Sequence, residues 1–349
     1  MNISREAFDE QRRPRFGSTN PERMKLKFWE WMIRGDEGPT VEKNDILGQF
    51  GFCMQGGILK SSYGPYRIRK QFDIQLKSDD GPIWTFDRMG STRTELPDGR
   101  MICIGGEHED SYDPDFCIYN DVIVLGPGDQ IEIYGYPNEI FPPTDFHTAS
   151  LVGDDIIIVG CLGYGDDRRP GHTPVYRLDL ASYQISVIST TGQAPGWLFR
   201  HEAEVDANGT ITVRGGEITQ ELDIAKRSKR NIEEFTLDTG SWIWRQMTNR
   251  NWRQFLIRQA EKGFFALDSS PGKGSMVPTS IEYTLLPCDD WNRVRFVVQR
   301  VSITVFDDLF EIEVTIEGDL SNEVVTGIVE EIRANVESKI NRRCVVEQI

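Results

Sequence analysis

Met101-Ile-Cys-Ile-Gly-Gly106 sets a short apolar run directly before two glycines. Three other stretches share this form: Phe52-Cys-Met-Gln-Gly-Gly57, Ile157-Ile-Val-Gly-Cys161 and Thr212-Val-Arg-Gly-Gly216. With Gly57, Gly106, Cys161 and Gly216 taken as one position, the steps are 49, 55 and 55 residues. A period near fifty residues, built on strands and glycine pairs, signals a repeat architecture.

Each repeat continues in the same order. Pro97-Asp98-Gly99 is a turn before the first run, which is followed by a polar loop, then Asn120 to Leu125 and Gln130 to Tyr134 as strands. The next unit has a Gly153-Asp-Asp turn, Ile156 to Val159, Pro174 to Leu180 and Gln184 to Ile188. The third has Asp206-Ala-Asn-Gly209, Thr210 to Val213, Asn231 to Leu237 and Ser241-Trp-Ile-Trp244. Short strands between Gly, Asn and Asp turns predict antiparallel hairpins.

Two further anchors keep step. Arg93, His147 and His201 precede the glycine pairs at intervals of 54 and 54, while Trp84 and Trp242 follow Gly57 and Gly216 by 27 and 26. These residues resemble the kelch repeat: an Arg- or His-containing first strand, a hydrophobic strand ending in Gly-Gly, and a late Trp. The resemblance covers about residues 45–247. It implies four-stranded blades of a β-propeller, four to six in number, five on the count that includes a degenerate unit from Gly263-Phe-Phe-Ala to Arg293-Val-Arg-Phe-Val-Val298. The second glycine is replaced by Cys161, and the late Trp is missing from two of the four units. The glycine pair reads as a device for letting blades crowd where a Cβ would clash, and His147 and His201 as hydrogen-bonded scaffold residues.

Flanks of a different kind bound the repeats. Asn20-Pro21 reads as an N-cap with proline at the first helical position; Met24, Phe28, Trp31 and Met32 recur at helical spacing, and Gly35 stops the run. At the other end Ser302–Phe306 and Phe310–Ile316 alternate as a strand pair. Val325, Ile328, Val329, Ile332, Val336 and Ile340 mark an amphipathic helix, and Cys344-Val-Val-Glu a closing strand. The expected organisation is therefore mainly β: an arm and aromatic helix over 1–44, a kelch-like propeller over 45–300 and a ββαβ segment over 301–349.

The chain of 349 residues carries 55 acidic and 39 basic side chains, a net charge of −16. That field repels phosphate backbones, which argues against a nucleic-acid partner. No run approaches the ~18 apolar residues of a membrane span, and Met1-Asn-Ile-Ser-Arg lacks the pattern of a secretory leader, so a cytoplasmic protein, or one whose leader has been removed, is expected. The six cysteines form no Cys-x-x-Cys pair and read as buried thiols.

Chemistry is sparse by comparison. Glu107-His-Glu-Asp-Ser-Tyr-Asp-Pro-Asp115 is the densest polar stretch, but it has neither the order of a calcium loop nor a His pair at helical spacing. No nucleophile elbow, P-loop, zinc-protease helix or dinucleotide fingerprint occurs, and no catalytic residue, metal or cofactor is expected. Charge is unevenly spread: Glu95 to Asp179 holds 17 acidic and 4 basic residues, whereas 1–35 holds 8 basic and 5 acidic. An acidic face steers basic partners. The expectation is a non-enzymatic propeller that binds a basic protein in an inhibitor, immunity-type or adaptor role. Its binding residues would be Glu107, His108, Glu109, Asp110, Tyr112, Asp113, Asp115, Asp166, Asp167 and Glu217. The alternative is a carbohydrate-active enzyme, a sugar isomerase or oxidase, with a site at the channel mouth drawn from Arg93, Glu107, His108, Tyr112, Arg214 and Glu217, since the resemblance also implies that such sites occur on this frame.

Overall fold

Residues 16–27, 30, 88–108, 117–128, 130–222, 225–260, 272–288, 290, 292–307 and 311–349 are described by the computed structural model. The chain divides into two units, Met1–Met247 and Thr248–Ile349. The first predicted repeat, including Gly57 and Trp84, lies outside the described residues, as do the 44/45 boundary and Gly263–Asp268 of the degenerate unit.

In the first unit, β1 (Glu22–Met24), β2 (Thr92–Glu95) and β3 (Met101–Ile104) precede a small hairpin of β4 (Glu107–His108) and β5 (Cys117–Ile118). β6 (Val122–Gly126) and β7 (Gln130–Gly135) complete an antiparallel sheet of order β1-β7-β6-β3-β2. Next come β8 (Thr148–Val152), β9 (Asp155–Val159), β10 (Val175–Asp179) and β11 (Ile185–Val187), again in sequential antiparallel order. β12 (Thr191–Gly192), β13 (Trp197–Phe199), β14 (Glu202–Val205), β15 (Thr210–Arg214), β16 (Glu217–Leu222), β17 (Ala225–Arg230), β18 (Phe235–Asp238) and β19 (Ile243–Gln246) follow. They form a third sheet, β12-β19-β18-β15-β14, and a side sheet, β13-β16-β17. The strand order read from the repeats is thus found in all three.

Side-chain alternation explains how the sheets stack. β9 reads Asp-Ile-Ile-Ile-Val and is buried on both faces. Ile156 and Ile158 join Ile102, Ile104, Val122 and Val124 in a core between the first and second sheets. Ile157 and Val159 join Ile211, Val213, Leu237 and Trp244 between the second and third. β15 alternates instead: Ile211 and Val213 are buried, Thr210 and Thr212 half-buried, and Arg214 exposed. The third sheet is therefore apolar towards the second and polar on its other face.

The sheets are also tied by backbone hydrogen bonds. Gly106 N–H donates to Thr144 O (2.8 Å) and Cys161 N–H to Leu198 O (3.0 Å), each reaching the segment before an edge strand, β8 or β14, of the next sheet. A Cβ on Gly105 would stand 2.1 Å from Thr144 O, and one on Gly160 2.2 Å from Leu198 O. In the first pair both positions are crowded, since a Cβ on Gly106 (φ +92) would stand 2.7 Å from Ser91 Cβ and 3.0 Å from Met89 O. Cys161 keeps the N–H of the second position without the positive φ of Gly106 and Gly216. In the third pair the crowding moves to the second glycine: an added Cβ meets nothing within 4 Å at Gly215 but would stand 2.3 Å from Phe199 O at Gly216.

Three expectations shift within this unit. Thr92, Thr148 and Glu202 hold the same register opposite Ile104, Val159 and Arg214. The residue preceding each is Ser91, His147 or His201, so Arg93 is not the counterpart of the histidines. The late Trp does have a partner: Tyr183 and Trp242 share φ +57, and each donates its N–H to the carbonyl of the turn-opening Asp179 or Asp238 at 2.7 Å. At the N-terminus Glu22–Met24 pairs with Gly135–Ile133 as an outer strand, not as a helix. Sheet hydrogen bonds and the packing of Met24 outweigh the helical spacing there. Helix starts only later, with Glu30 N–H donating to Leu26 O (2.9 Å); Phe28, Trp29, Trp31, Met32 and Gly35 lie outside the described residues.

The second unit is one six-stranded sheet, β21-β22-β23-β24-β20-β25, formed by β20 (Trp252–Gln259), β21 (Thr284–Leu286), β22 (Arg293–Val298), β23 (Val301–Asp307), β24 (Ile312–Glu317) and β25 (Cys344–Gln348). Helix α1 (Asn322–Ile340) buries Val325, Ile328, Val329, Ile332 and Val336 against Ile257, Phe296, Ile303, Val305 and Val314. Each such burial contributes about 1.5–3 kcal/mol. The ββαβ order over 301–349 is as expected, but the 300/301 boundary is not. It falls in the turn between β22 and β23, which pair along their length. Arg293–Val298 therefore belongs to this sheet and not to a further repeat.

Candidate functional site

The loops that follow the three glycine positions bring charged side chains of the first unit together. Glu107 opens β4, where its N–H and C=O pair with Met89 (2.8 and 3.0 Å). Glu217 pairs with Phe199 in the same relation, so the shared repeat position of these two glutamates is structural fact. Their surroundings differ: Glu107 is 4% exposed, whereas Glu217 is half-buried and paired with Arg200 at 3.3 Å. Asp166 and Asp167 lie exposed on a short 3-10 turn in the β9–β10 loop. His108 pairs through its backbone with Cys117; its side chain, and all of Glu109, Asp110, Tyr112, Asp113 and Asp115, lie outside the described residues. Arg93 is exposed on β2, and Arg214 is engaged by Glu204 (3.2 Å) and Glu234 (3.4 Å) on the third sheet.

Six residues not singled out from the sequence complete the cluster. Asp145 has no exposed surface, and its Oδ1 accepts from Gly163 N–H at 2.7 Å. Burial pushes the Asp145 carboxyl above its ordinary value, against the lowering effects of Gly163, Glu107 and Arg168. Arg168 holds the same loop from within, donating from Nε to Leu162 O (3.0 Å) and from Nη2 to Gly163 O (3.1 Å). Tyr164 hydroxyl accepts from Ile118 N–H at 3.0 Å, joining the β9–β10 loop to β5. Arg88 forms a two-pronged pair with Asp121, one bond being 3.0 Å, and lies 3.6 Å above the Tyr119 ring. A buried charge held in this way is costly to unpair.

One signal pointed to Asp145. Met89 and Phe199 occupy its position in the neighbouring repeats, as the backbone pairings Met89–Glu107, Asp145–Leu162 and Phe199–Glu217 establish. A carboxylate in an otherwise apolar register position marks the site, but the register becomes visible only when strands are paired.

His147 and His201 stand apart from this cluster as ties between sheets, to Thr92 and Thr148 respectively. Among the described residues no group of three or more His, Cys, Asp or Glu is arranged to hold a metal ion, and no helix is long and apolar enough to cross a membrane.

No protein-family model matches the chain, and no curated protein matches it. Among solved structures, one described as "Structure of YjhT" is similar over 64% of this chain and 64% of that one, at 10% identity and a TM-score of 0.33. A likeness at that level carries no argument about this chain's activity.

Proposed function

We propose that the first unit is a kelch-like propeller fragment that binds a basic protein through the loops after its glycine positions. On this reading the three stacked sheets are consecutive blades. The predicted repeat over 45–87 supplies a fourth, and the polar outer face of the third sheet ends the array as a terminal repeat does. The observation that carries the binding role is the net −13 between Glu95 and Asp179, together with the exposed Asp166–Asp167 turn. A rigid frame presenting charged loops favours recognition of an oppositely charged surface. Affinity capture from cell extract at low and moderate salt, with proteins identified by mass spectrometry, tests it. A specific basic partner released by salt is expected; a set of partners without basic character would contradict it.

A second reading, a carbohydrate-active enzyme at the same mouth, draws support from Asp145, whose carboxyl burial pushes above its ordinary value beside Arg168, since a buried carboxyl of that kind serves acid–base chemistry. Turnover assays on free sugars separate the two readings.

A further inference from the structure

Helix α1 ends in a run of cations, Lys339, Arg342 and Arg343, in a chain whose net charge is −16. A shallow cleft of about 680 Å³ lies at this end, lined by Arg333, Glu337, Ser338, Asn341, Arg342 and Arg343. That volume falls within the range of about 300–1,000 Å³ typical of small-molecule sites. One wall of the cleft is already matched in charge. Arg333 pairs with Glu330 (2.7 Å) and Glu337 (2.6 Å), and the Glu337 carboxylate also accepts from Cys344 N–H (2.6 Å). Arg342 and Arg343 are exposed, and neither side chain has an ion pair or hydrogen bond among the described residues. The Ser338 hydroxyl and the Asn341 side-chain amide are equally unengaged among them. We propose that this cleft binds the phosphate group of a small phosphomonoester through Arg342 and Arg343, with Ser338 and Asn341 as further donors.

The backbone holds the two arginines in place before any ligand arrives. Asn341 takes the left-handed conformation (φ +53) and its N–H caps Glu337 O, to which Arg342 N–H also donates at 3.4 Å. Arg343 O accepts from Ala260 N–H at 2.8 Å, fixing the chain as it enters β25. Such preorganisation lowers the ordering cost of binding. The helix dipole alone does not account for the pair. Cations that serve a helix end reach its last carbonyls; here Glu337 O is capped by backbone N–H groups, and neither guanidinium bonds a carbonyl. Arg343 feels the charge of Glu337 without pairing with it. Two guanidiniums outside any ion pair match a phosphomonoester, which carries about −1.5 to −2 near neutral pH. Its tetrahedral oxygens accept from donor forks arriving from separate directions, whereas a carboxylate offers one charge and two oxygens in a plane. The site belongs to the second unit alone and is independent of what the loops of the first unit bind.

Calorimetric titration of the full chain at low salt with glycerol phosphate, inorganic phosphate and acetate tests the site. The proteins compared are the wild type, an Arg342→Gln, Arg343→Gln double variant and Lys339→Gln. Lys339 is an exposed cation in the last turn of α1 that does not line the cleft. Saturable binding of glycerol phosphate is expected, at least as tight as inorganic phosphate and at least about tenfold tighter than acetate. The double variant is expected to lose about tenfold or more, and Lys339→Gln less than about twofold, as befits a screened charge outside the cleft. Amide NMR of the wild type during the titration is expected to shift Ser338, Asn341, Arg342 and Arg343 together, which locates the site even if the double variant fails to fold. No saturable binding, an equal loss in Lys339→Gln, or amide shifts elsewhere in the chain would overturn the site. Acetate binding as tightly as phosphate, or inorganic phosphate binding more tightly than the ester, would overturn the phosphomonoester as its ligand.

Discussion

His147 reaches back from the start of the second sheet to β2, the edge strand of the first, its Nε2 lying 2.8 Å from Thr92 Oγ1. His201 repeats the relation one sheet later, 2.9 Å from Thr148 Oγ1. Both rings are buried, at 5% and 6% exposure. Burial, with a smaller contribution from His201, holds His147 down to about 3; burial alone holds His201 down to about 4. The neutral rings therefore contribute stability that is whole above the ordinary histidine value and lost as pH falls from there through about 4 and 3. His201→Phe is expected to cost about 1–2 kcal/mol by leaving Thr148 without this partner. It should also flatten the acid limb of the midpoint profile; an unchanged acid limb would count against the tie.

Gly160 and Cys161 make a sharper prediction, because these two positions have different duties. Gly160→Ala places a Cβ 2.2 Å from Leu198 O at φ +70 and is expected to cost about 2–4 kcal/mol through backbone strain and displacement of the third sheet. Cys161→Gly keeps the N–H that donates to Leu198 and loses only a small buried side chain, about 1 kcal/mol. Denaturant midpoints of the two variants should rank in that order.

Asn20 imitates a strand. Its Nδ2 donates to Ile185 O (2.7 Å) and its Oδ1 accepts from Ile185 N–H (2.9 Å), clasping the outer strand of the second sheet. Asn20→Ala is expected to cost about 1–2 kcal/mol and to speed amide exchange at Ile185. Exchange unchanged at that amide would place the arm elsewhere in solution.

In the second unit, Glu331 on α1 accepts from Thr279 N–H (2.6 Å), Thr279 hydroxyl (2.5 Å), Ser280 N–H (2.9 Å) and Ser280 hydroxyl. Burial works to raise its carboxyl, but the bonds from Ser280 and Thr279 prevail and hold it down to about 2. Its stabilisation is present above the ordinary glutamate value and is lost as pH falls through about 2. Glu331→Gln keeps the shape but weakens all four bonds, so the variant should unfold at lower denaturant near neutral pH and converge with the wild type in strong acid.

What the sequence disclosed follows from where backbone demands reach the side chains. The glycine at 105 and 160 is dictated by a carbonyl about 2 Å from any Cβ, so the repeat was legible from its glycines. Equal counting misplaced Arg93 because the step from Ser91 to His147 is 56 and the next is 54; loop insertions are invisible until strands pair. Met24 sits at helical spacing, yet its backbone is claimed by Ile133. Arg293–Val298 alternates as a blade strand would, and the same alternation serves a sheet covered by a helix. Asp145 follows Pro142-Pro-Thr144 and reads as a polar loop residue; only its pairing with Leu162 reveals a buried position.

The binding role is tested most directly by capture with the wild type and with an Asp166→Lys, Asp167→Lys double variant, compared quantitatively in one extract. Both side chains are exposed, so the fold should tolerate the exchange. The expected result is a basic protein enriched by the wild type and reduced at least about tenfold by the variant, equivalent to ~1.4 kcal/mol or more. Equal capture by both proteins, or no basic protein in either, would contradict the account.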